Sequence, residues 1–272
     1  MLGLGTINEP SQSTAATALG AIAIGGAATA ISVGTDAVCA SRSSGVICWG
    51  YNGSGELGRG DTVDVGGTGT PAAATPPVTP VLASGRTATA LASGAGHTCA
   101  LQDNNQLECW GSNAAGQLGL GLPASGTSLY IGDNEAPATS GVLQLTGVTS
   151  VYASNSSTCA KLLTGGLRCW GLNTKGELGY ADVTNKGNDN TTKPSNLPDV
   201  AFGSGVTATS VALGNAHTCA LLSNGQVRCW GRDQLGQLGN ASLLVTSPDY
   251  VGGNSSQTPD LLTPVQIFPP SP

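Results

Sequence analysis

Charge, aromatic bulk and histidine are all scarce in this chain. Charged residues make up 10% of its 272 residues and aromatics 4%, with two His, two Phe and one Met. Ten basic residues, scattered and outnumbered by sixteen acidic ones, exclude the basic stripe that nucleic acid requires. Two His leave little room for a nucleophile–base pair or a metal centre. A long apolar span is missing as well. The stretch from Ala15 to Val33 consists mostly of small residues, with three Gly and three Thr or Ser. Its end aligns with a later segment: Gly25, Thr29, Ile31 and Gly34 stand 60 residues before Gly85, Thr89, Leu91 and Gly94. It is expected to be a strand, and no membrane span is expected. The opening MLGLGTINEP lacks Lys and Arg, so no export signal is expected in this sequence.

What the chain has in quantity is Gly, 41 residues of it, together with Ser, Thr, Asn and Ala. These weaken helix interiors and suit short strands joined by turns. It also has eight Cys in local pairs: Cys39/Cys48, Cys99/Cys109, Cys159/Cys169 and Cys219/Cys229. An even count in matched pairs predicts a disulfide framework and an oxidising compartment. Zinc sites favour much closer spacing, so no metal or other cofactor is expected.

The pairs belong to four copies of one unit. These read VCASRSSGVICWGYNGSGELGRG from Val38, TCALQDNNQLECWGSNAAGQLGLG from Thr98, TCAKLLTGGLRCWGLNTKGELGY from Thr158 and TCALLSNGQVRCWGRDQLGQLGN from Thr218. Trp49, Trp110, Trp170 and Trp230 recur at steps of 61, 60 and 60 residues. A fixed long period means an array of units, each burying its apolar face on the next.

Alternation and breakers divide each unit into strands. The first is AATAISVG, TATALASG, VTSVYAS or TATSVALG; the second is the TCAL segment; the third is QVRCWG or its equivalent. Polar or Gly-bearing turns (Asp103-Asn104-Asn105, Thr164-Gly165-Gly166, Ser223-Asn224-Gly225) join the second to the third. A Pro-rich linker then ends in an expected fourth strand, TPVLAS from Thr79 and TPVQIF from Thr263. A three-residue loop at 223–225 sets Cys219 opposite Cys229. A two-residue loop at Ser43-Ser44 absorbs the one-residue deletion in the first copy and keeps Cys39 opposite Cys48.

The segments WGYNGSGELGRG, WGSNAAGQLGLG, WGLNTKGELGY and WGRDQLGQLGN, with HTCAL preceded by Gly94 and Gly214, resemble the regulator-of-chromosome-condensation repeat. That resemblance implies an all-β propeller of four-stranded antiparallel blades, usually seven to a ring; the paired Cys resemble exported bacterial members. Four blades are incomplete relative to such a ring. The expected organisation is a single array over 1–272, with repeats at about 26–85, 86–146, 147–205 and 206–268. Residues 1–25 are expected to be the tail of a preceding partial repeat, because Leu2-Gly3-Leu4-Gly5 matches Leu118-Gly119-Leu120-Gly121.

Each chemistry-bearing residue has a structural reading beside the functional one. His97 and His217 hold equivalent positions, filled by Ala37 and Ser157 elsewhere, and are expected to pack at the start of a strand. The four Trp are expected to pack blades; a plant photoreceptor family uses this fold with Trp clusters, but this chain has one Trp per blade. Glu56, Gln117, Glu177 and Gln237 share one position, which suits hydrogen bonding to turn backbone better than paired-carboxylate hydrolysis. The insert from Asp182 to Asn190 is rich in oxygen ligands but lacks EF-hand spacing, so an Asx-rich turn is expected. Sequons stand at Asn52, Asn155, Asn190, Asn240 and Asn254.

The expected function is a non-catalytic extracellular or cell-surface scaffold, with a periplasmic location also open. It would bind a protein or glycan partner through the linkers 59–85, 120–146, 180–205 and 240–262. The alternative is a self-assembling ring or filament subunit whose open blade ends pair between chains. A hydrolase using Asp61, Asp64, Asp133, Glu135 and Asp182 lacks a nucleophile–base set. Guanine-nucleotide exchange, which the resemblance also raises, belongs to a reduced nuclear protein.

Overall fold

A computed structural model describes residues 22, 24–66, 82, 85–122, 129–140, 143–239 and 249–265. The fold is all-β, apart from one helical turn, α1 (Pro137–Ser140). The first sheet orders β1 (Ala28–Val33), β2 (Ala37–Arg42) and β3 (Gly45–Gly50). The second orders β4 (Ala88–Ser93), β5 (His97–Gln102), β6 (Leu107–Ser112) and β7 (Tyr130–Ile131). The third comprises β8 (Val148–Ser154), β9 (Ser157–Leu162) and β10 (Leu167–Gly171). The fourth comprises β11 (Ala208–Leu213), β12 (His217–Leu222), β13 (Val227–Arg232) and β14 (Tyr250–Val251). All pairings are antiparallel, and each sheet is one blade.

The hairpin register sets every Cys pair directly opposite: Cys39↔Cys48, Cys99↔Cys109, Cys159↔Cys169 and Cys219↔Cys229. Their Cα atoms lie 4.0–4.1 Å apart, all four pairs are bonded, and no Cys is free. Spacing predicts a staple on each hairpin but not its depth. Cys99 and Cys109 are fully buried, so their bridge fills the interior of the second blade as well as closing β5 on β6. In the third blade the turn is Leu163-Thr164-Gly165, one residue earlier than the pattern predicts, because Leu162 N–H donates to Gly166 O. The three-residue turns place Asn105, Gly165 and Gly225 at φ of 64°, 88° and 81°, the left-handed position this loop length requires.

The fourth strand differs from expectation. It follows the G-Q-L-G turn by a dozen residues, as Tyr130–Ile131 and Tyr250–Val251, where an aromatic and a β-branched residue favour pairing. In the first and third blades it shrinks to single bridges, Gly50↔Val65 and Gly171↔Lys186. TPVLAS lies outside the described residues except for Leu82. Of TPVQIF, Thr263–Val265 is described; it is not a strand, although Val265 N–H donates to Val227 O.

A device absent from the sequence reading recurs in every blade. The first strand carries a bulge, with Thr29, Thr89, Thr149 or Thr209 as the extra residue. A bulge interrupts the ladder, and here the Thr hydroxyl donates to a carbonyl of the second strand: Ser41, Leu101, Lys161 or Leu221, at 3.0–3.3 Å.

The chain divides into two compact units, Met1–Asn113 with Ser125–Leu143 and Ala114–Ala124 with Gln144–Pro272. The division crosses the second repeat at its G-Q-L-G turn rather than falling between repeats. Within the second unit the core gathers Leu178, Val211, Leu222, Trp230 and Leu238 around Phe202, whose ring is 5.9 Å from that of Trp230.

Candidate functional site

The repeat motif builds a lock between successive blades. Trp110 Nε1–H donates to Glu56 O at 2.9 Å, Trp170 to Gln117 O at 2.9 Å and Trp230 to Glu177 O at 3.0 Å. The same three carbonyls accept from Thr98, Thr158 and Thr218 of the TCAL strands, at 3.3, 2.9 and 2.8 Å. The G-[EQ]-L-G turn of one repeat is therefore held by two donors of the next. Both donors sit beside the disulfide: Thr98 precedes Cys99 and Trp110 follows Cys109, so the bridge joins the two strands at the point where they grip the turn. All four Trp are buried, and three of the indole N–H groups are committed to these carbonyls. Trp110, Trp170 and Trp230 thus join successive blades.

The Glu or Gln side chain shapes the turn itself. Its oxygen accepts from the backbone N–H two residues earlier: Ser54, Ala115, Lys175 and Leu235, at 2.7–2.8 Å. One acceptor oxygen suffices, so acid and amide interchange. Burial pushes the carboxyls of Glu56 and Glu177 above the usual range, against the hydrogen bonds they accept. Each is tied to its own turn, which is not the arrangement of a paired-carboxylate catalyst. The Gly after each Trp is fixed by space. At Gly171 (φ 102°) a Cβ would meet Ser156 O at 2.2 Å, and at Gly231 (φ 102°) it would meet Ala216 O at 2.6 Å.

The lock comes in two forms that alternate along the chain. In the second and fourth blades, Asn113 and Asp233 N–H donate to backbone oxygens of Leu129 and Asp249, which continues the fourth strand. In the first and third, Asn52 and Asn173 N–H donate to side-chain oxygens of Asp64 and Asn185. Asp61 and Asp182 then accept from Asn52 and Asn173 Nδ2. A side chain takes the ladder position, so pairing stops at one bridge. The linker acids Asp61, Asp64 and Asp182 are thereby spent on loop structure, and Glu135 accepts from Gly132 N–H. Asp133, the fifth, lies beside Glu135, whose carboxyl is raised by burial first and also by the Asp133 charge and side-chain hydrogen bond.

The insert from Asp182 to Asn190 is similarly self-satisfied. Asp182 accepts from Asn173, Thr184 and Lys186, while Asp189 Oδ1 accepts from Thr191 and Thr192. The Thr191 hydroxyl bond is the main cause that holds the Asp189 carboxyl down to about 2. Among the described residues no group of three His, Cys, Asp or Glu could hold a metal ion. Asn52 is buried within its turn, which removes that sequon from the surface; Asn240 lies outside the described residues.

His97 is buried, and burial lowers its pKa to about 4, which leaves the ring neutral. His217 is half-buried, its ring against Gly214, where a Cβ would meet Cε1 at 2.0 Å. The turn before each is closed by backbone, Gly94 N–H to His97 O and Gly214 N–H to His217 O. Because the imidazole does not close the turn, Ala37 can stand there, and Gly34 N–H donates to its carbonyl at 2.8 Å.

Outside this constant frame the surface varies, with exposed Val63, Leu122, Val183, Leu235 and Leu261 in and beside the linkers. No helix among the described residues is long and apolar enough to cross a membrane.

Two models of the regulator of chromosome condensation (RCC1) repeat match the chain, one at residues 88–117, 148–177 and 208–237, the other at 44–101 and 164–221. The mitochondrial RCC1 domain-containing protein RUG3 of Arabidopsis thaliana is 33% identical over 158 residues, 57% of this chain and 32% of the relative. Among solved structures, human WBSCR16 superposes with a TM-score of 0.64 at 18% identity, covering 84% of this chain and 53% of that one. Prp20p of Saccharomyces cerevisiae gives 0.56 at 19% identity, covering 88% and 65%. The chain thus spans a third of the curated relative and about half to two thirds of the structures it resembles.

Proposed function

The chain belongs to the RCC1 repeat family, and from that premise we propose that it is a non-catalytic binding scaffold, stapled for an extracellular or cell-surface setting, whose linker loops recognise a protein or glycan. The observation that carries this reading is the division of labour within each repeat. Cys, Trp, Thr and the G-[EQ]-L-G turn are spent on bridges and blade locks, while the linkers differ in length, sequence and lock form. Variable loops on a constant frame are where recognition is usually built. Four disulfides support an oxidising compartment. Prp20p is described with its binding to Gsp1p and histones; for this chain protein binding is carried over as a class, and those partners are not.

The test is binding of the non-reduced protein to a glycan array and to surface proteins captured by cross-linking. A variant with Val183→Ser, Leu235→Ser and Leu261→Ser serves as the comparison. The reading predicts a specific ligand whose binding the triple variant weakens at least about tenfold. Binding that the variant leaves unchanged places recognition elsewhere.

One observation favours the second reading, association through an open blade face. On β1, Ile31 and Val33 are 65% and 67% exposed, whereas Val151 and Val211, the counterparts of Ile31, are 8% and 6% exposed. An uncovered apolar strand is a template for another blade. Light scattering on a sizing column separates the readings: a particle near 26.8 kDa removes self-assembly, and a discrete multiple supports it.

A further inference from the structure

One side chain in the first blade is not required by the frame. Arg42, at the end of β2, is only 5% exposed, yet it has no carboxylate within ion-pair distance among the described residues. A buried guanidinium without a counter-charge is expensive. Nη1 donates to Ile24 O, and Nε is buried with no hydrogen-bond partner. The equivalent positions show what the fold needs there. Leu162 and Leu222 occupy them in the third and fourth blades, so a charge is dispensable. In the second blade the position is Gln102, whose Nε2 donates to the buried carboxylate of Glu108 at 2.7 Å. The first blade replaces that carboxylate with Ile47, since Ala40↔Ile47 corresponds to Ala100↔Glu108 in register. The first blade thus keeps the donor and discards the acceptor.

Arg42 lines a cavity of about 420 Å³ with Thr29, Ser43, Thr87, Ala88 and Thr89. Three of those hydroxyls are committed elsewhere: Thr29 to Ser41 O, Thr89 to Leu101 O and Thr87 to Asp103. Asp103 is further engaged by Arg86 at 3.5 Å. Arg42 is the one charged residue of that lining.

We propose that this pocket binds a carboxylate, supplied by a small organic acid or by an acidic side chain or C-terminus of a partner, which gives Arg42 the kind of acceptor that Gln102 finds in Glu108. The guanidinium fork matches a carboxylate in geometry and charge. The site is independent of the linker surface proposed above.

The experiment is a titration of the non-reduced protein with sodium succinate, followed by the Arg Nε–Hε resonances and by thermal unfolding, with chloride at equal ionic strength as control. The Arg42 resonance, assigned from Arg42→Gln, should shift saturably, and the melting temperature should rise. Arg42→Leu, which copies the third and fourth blades, should fold with all four disulfides and bind at least about tenfold more weakly. A peptide ending in a free carboxylate, compared with its amide, tells a partner's C-terminus from a free acid; either source meets the assignment. No saturable shift, a response equal to chloride, or equal binding by Arg42→Leu overturns it. Tighter binding of inorganic phosphate overturns the carboxylate class.

Discussion

Replacing Glu177 with Gln should stabilise this protein, because it removes a buried charge. Glu177 is 2% exposed; its Oε2 accepts from Lys175 N–H, while Oε1 is buried with no hydrogen-bond partner. A buried charged oxygen left unsatisfied costs about 1–3 kcal/mol. The Lys175 ammonium offsets part of this cost, but it is shared with Asp249 at 2.7 Å, and burial remains the larger influence on the carboxyl. Gln117 and Gln237 make the same turn-closing bond with an amide, so the substitution keeps the geometry and removes the charge. A gain of about 1 kcal/mol is expected at pH 7, or roughly 2–4 °C in the melting temperature of a chain this size. The pH dependence carries the diagnosis. A carboxyl whose pKa is raised on folding contributes its full stability below the unfolded value, near 4.5, and loses it as pH rises through the folded value. The advantage of Glu177→Gln should therefore be present at pH 7 and shrink towards zero as pH falls to 4.5. Thermal unfolding of the non-reduced protein by circular dichroism from pH 4 to 8 measures it. A variant less stable at pH 7, or a difference that does not change with pH, refutes the reasoning.

Thr218→Val should cost about 1 kcal/mol in urea unfolding, because Glu177 O keeps the Trp230 donor and loses only one bond; no loss would mean that the indole alone holds the lock. Gly231→Ala should cost more than about 2 kcal/mol, since its Cβ meets Ala216 O at a positive φ, and expression with unchanged stability would contradict the lock geometry. Changing Cys219 and Cys229 together to Ala should lower stability by roughly 3 kcal/mol, read from the denaturant midpoint. Tyr180→Phe should cost about 1 kcal/mol, because its partly buried hydroxyl accepts from Cys169 N–H at 3.0 Å, and the loss should be the same from pH 5 to 9 since the phenol is held above its ordinary range and stays protonated.

The frame was legible in the sequence because its signals are local and repeated. Cys spacing fixed the hairpin register, including the two-residue loop at Ser43-Ser44, since a pair of Cys on adjacent strands admits few registers. The interchange of Glu and Gln at 56, 117, 177 and 237 pointed correctly to a bond with turn backbone. Less legible were features that depend on a partner elsewhere in the chain. The burial of Cys99 and Cys109 is one, because spacing sets which residues face each other and not what covers them. Thr263–Val265 is not a strand although an apolar TPV segment looks like one, whereas Tyr130–Ile131 and Tyr250–Val251 pair with the end of the Trp strand. The bulges at Thr29, Thr89, Thr149 and Thr209 were visible only as a recurring Thr, because a hydroxyl's acceptor is set by register. Arg42 escaped notice because its burial is tertiary, and only its contrast with Gln102, Leu162 and Leu222 in register singles it out.

That contrast is one case of a wider rule: blades that are copies in sequence are not copies in chemistry. Asn52, Glu56, Asp61 and Asp64 return 121 residues later as Asn173, Glu177, Asp182 and Asn185; Gln117 and Tyr130-Ile131 return 120 residues later as Gln237 and Tyr250-Val251. The working period is therefore two blades, one closed by side-chain oxygens and one by backbone. A backbone ladder continues the fourth strand, whereas a side-chain acceptor ends it after one bridge. Alternation thus distributes two kinds of linker along a frame whose Trp, Thr and Cys stay constant. It gives blades of nearly identical hairpin sequence two kinds of linker, the segments on which the proposed recognition is to be tested.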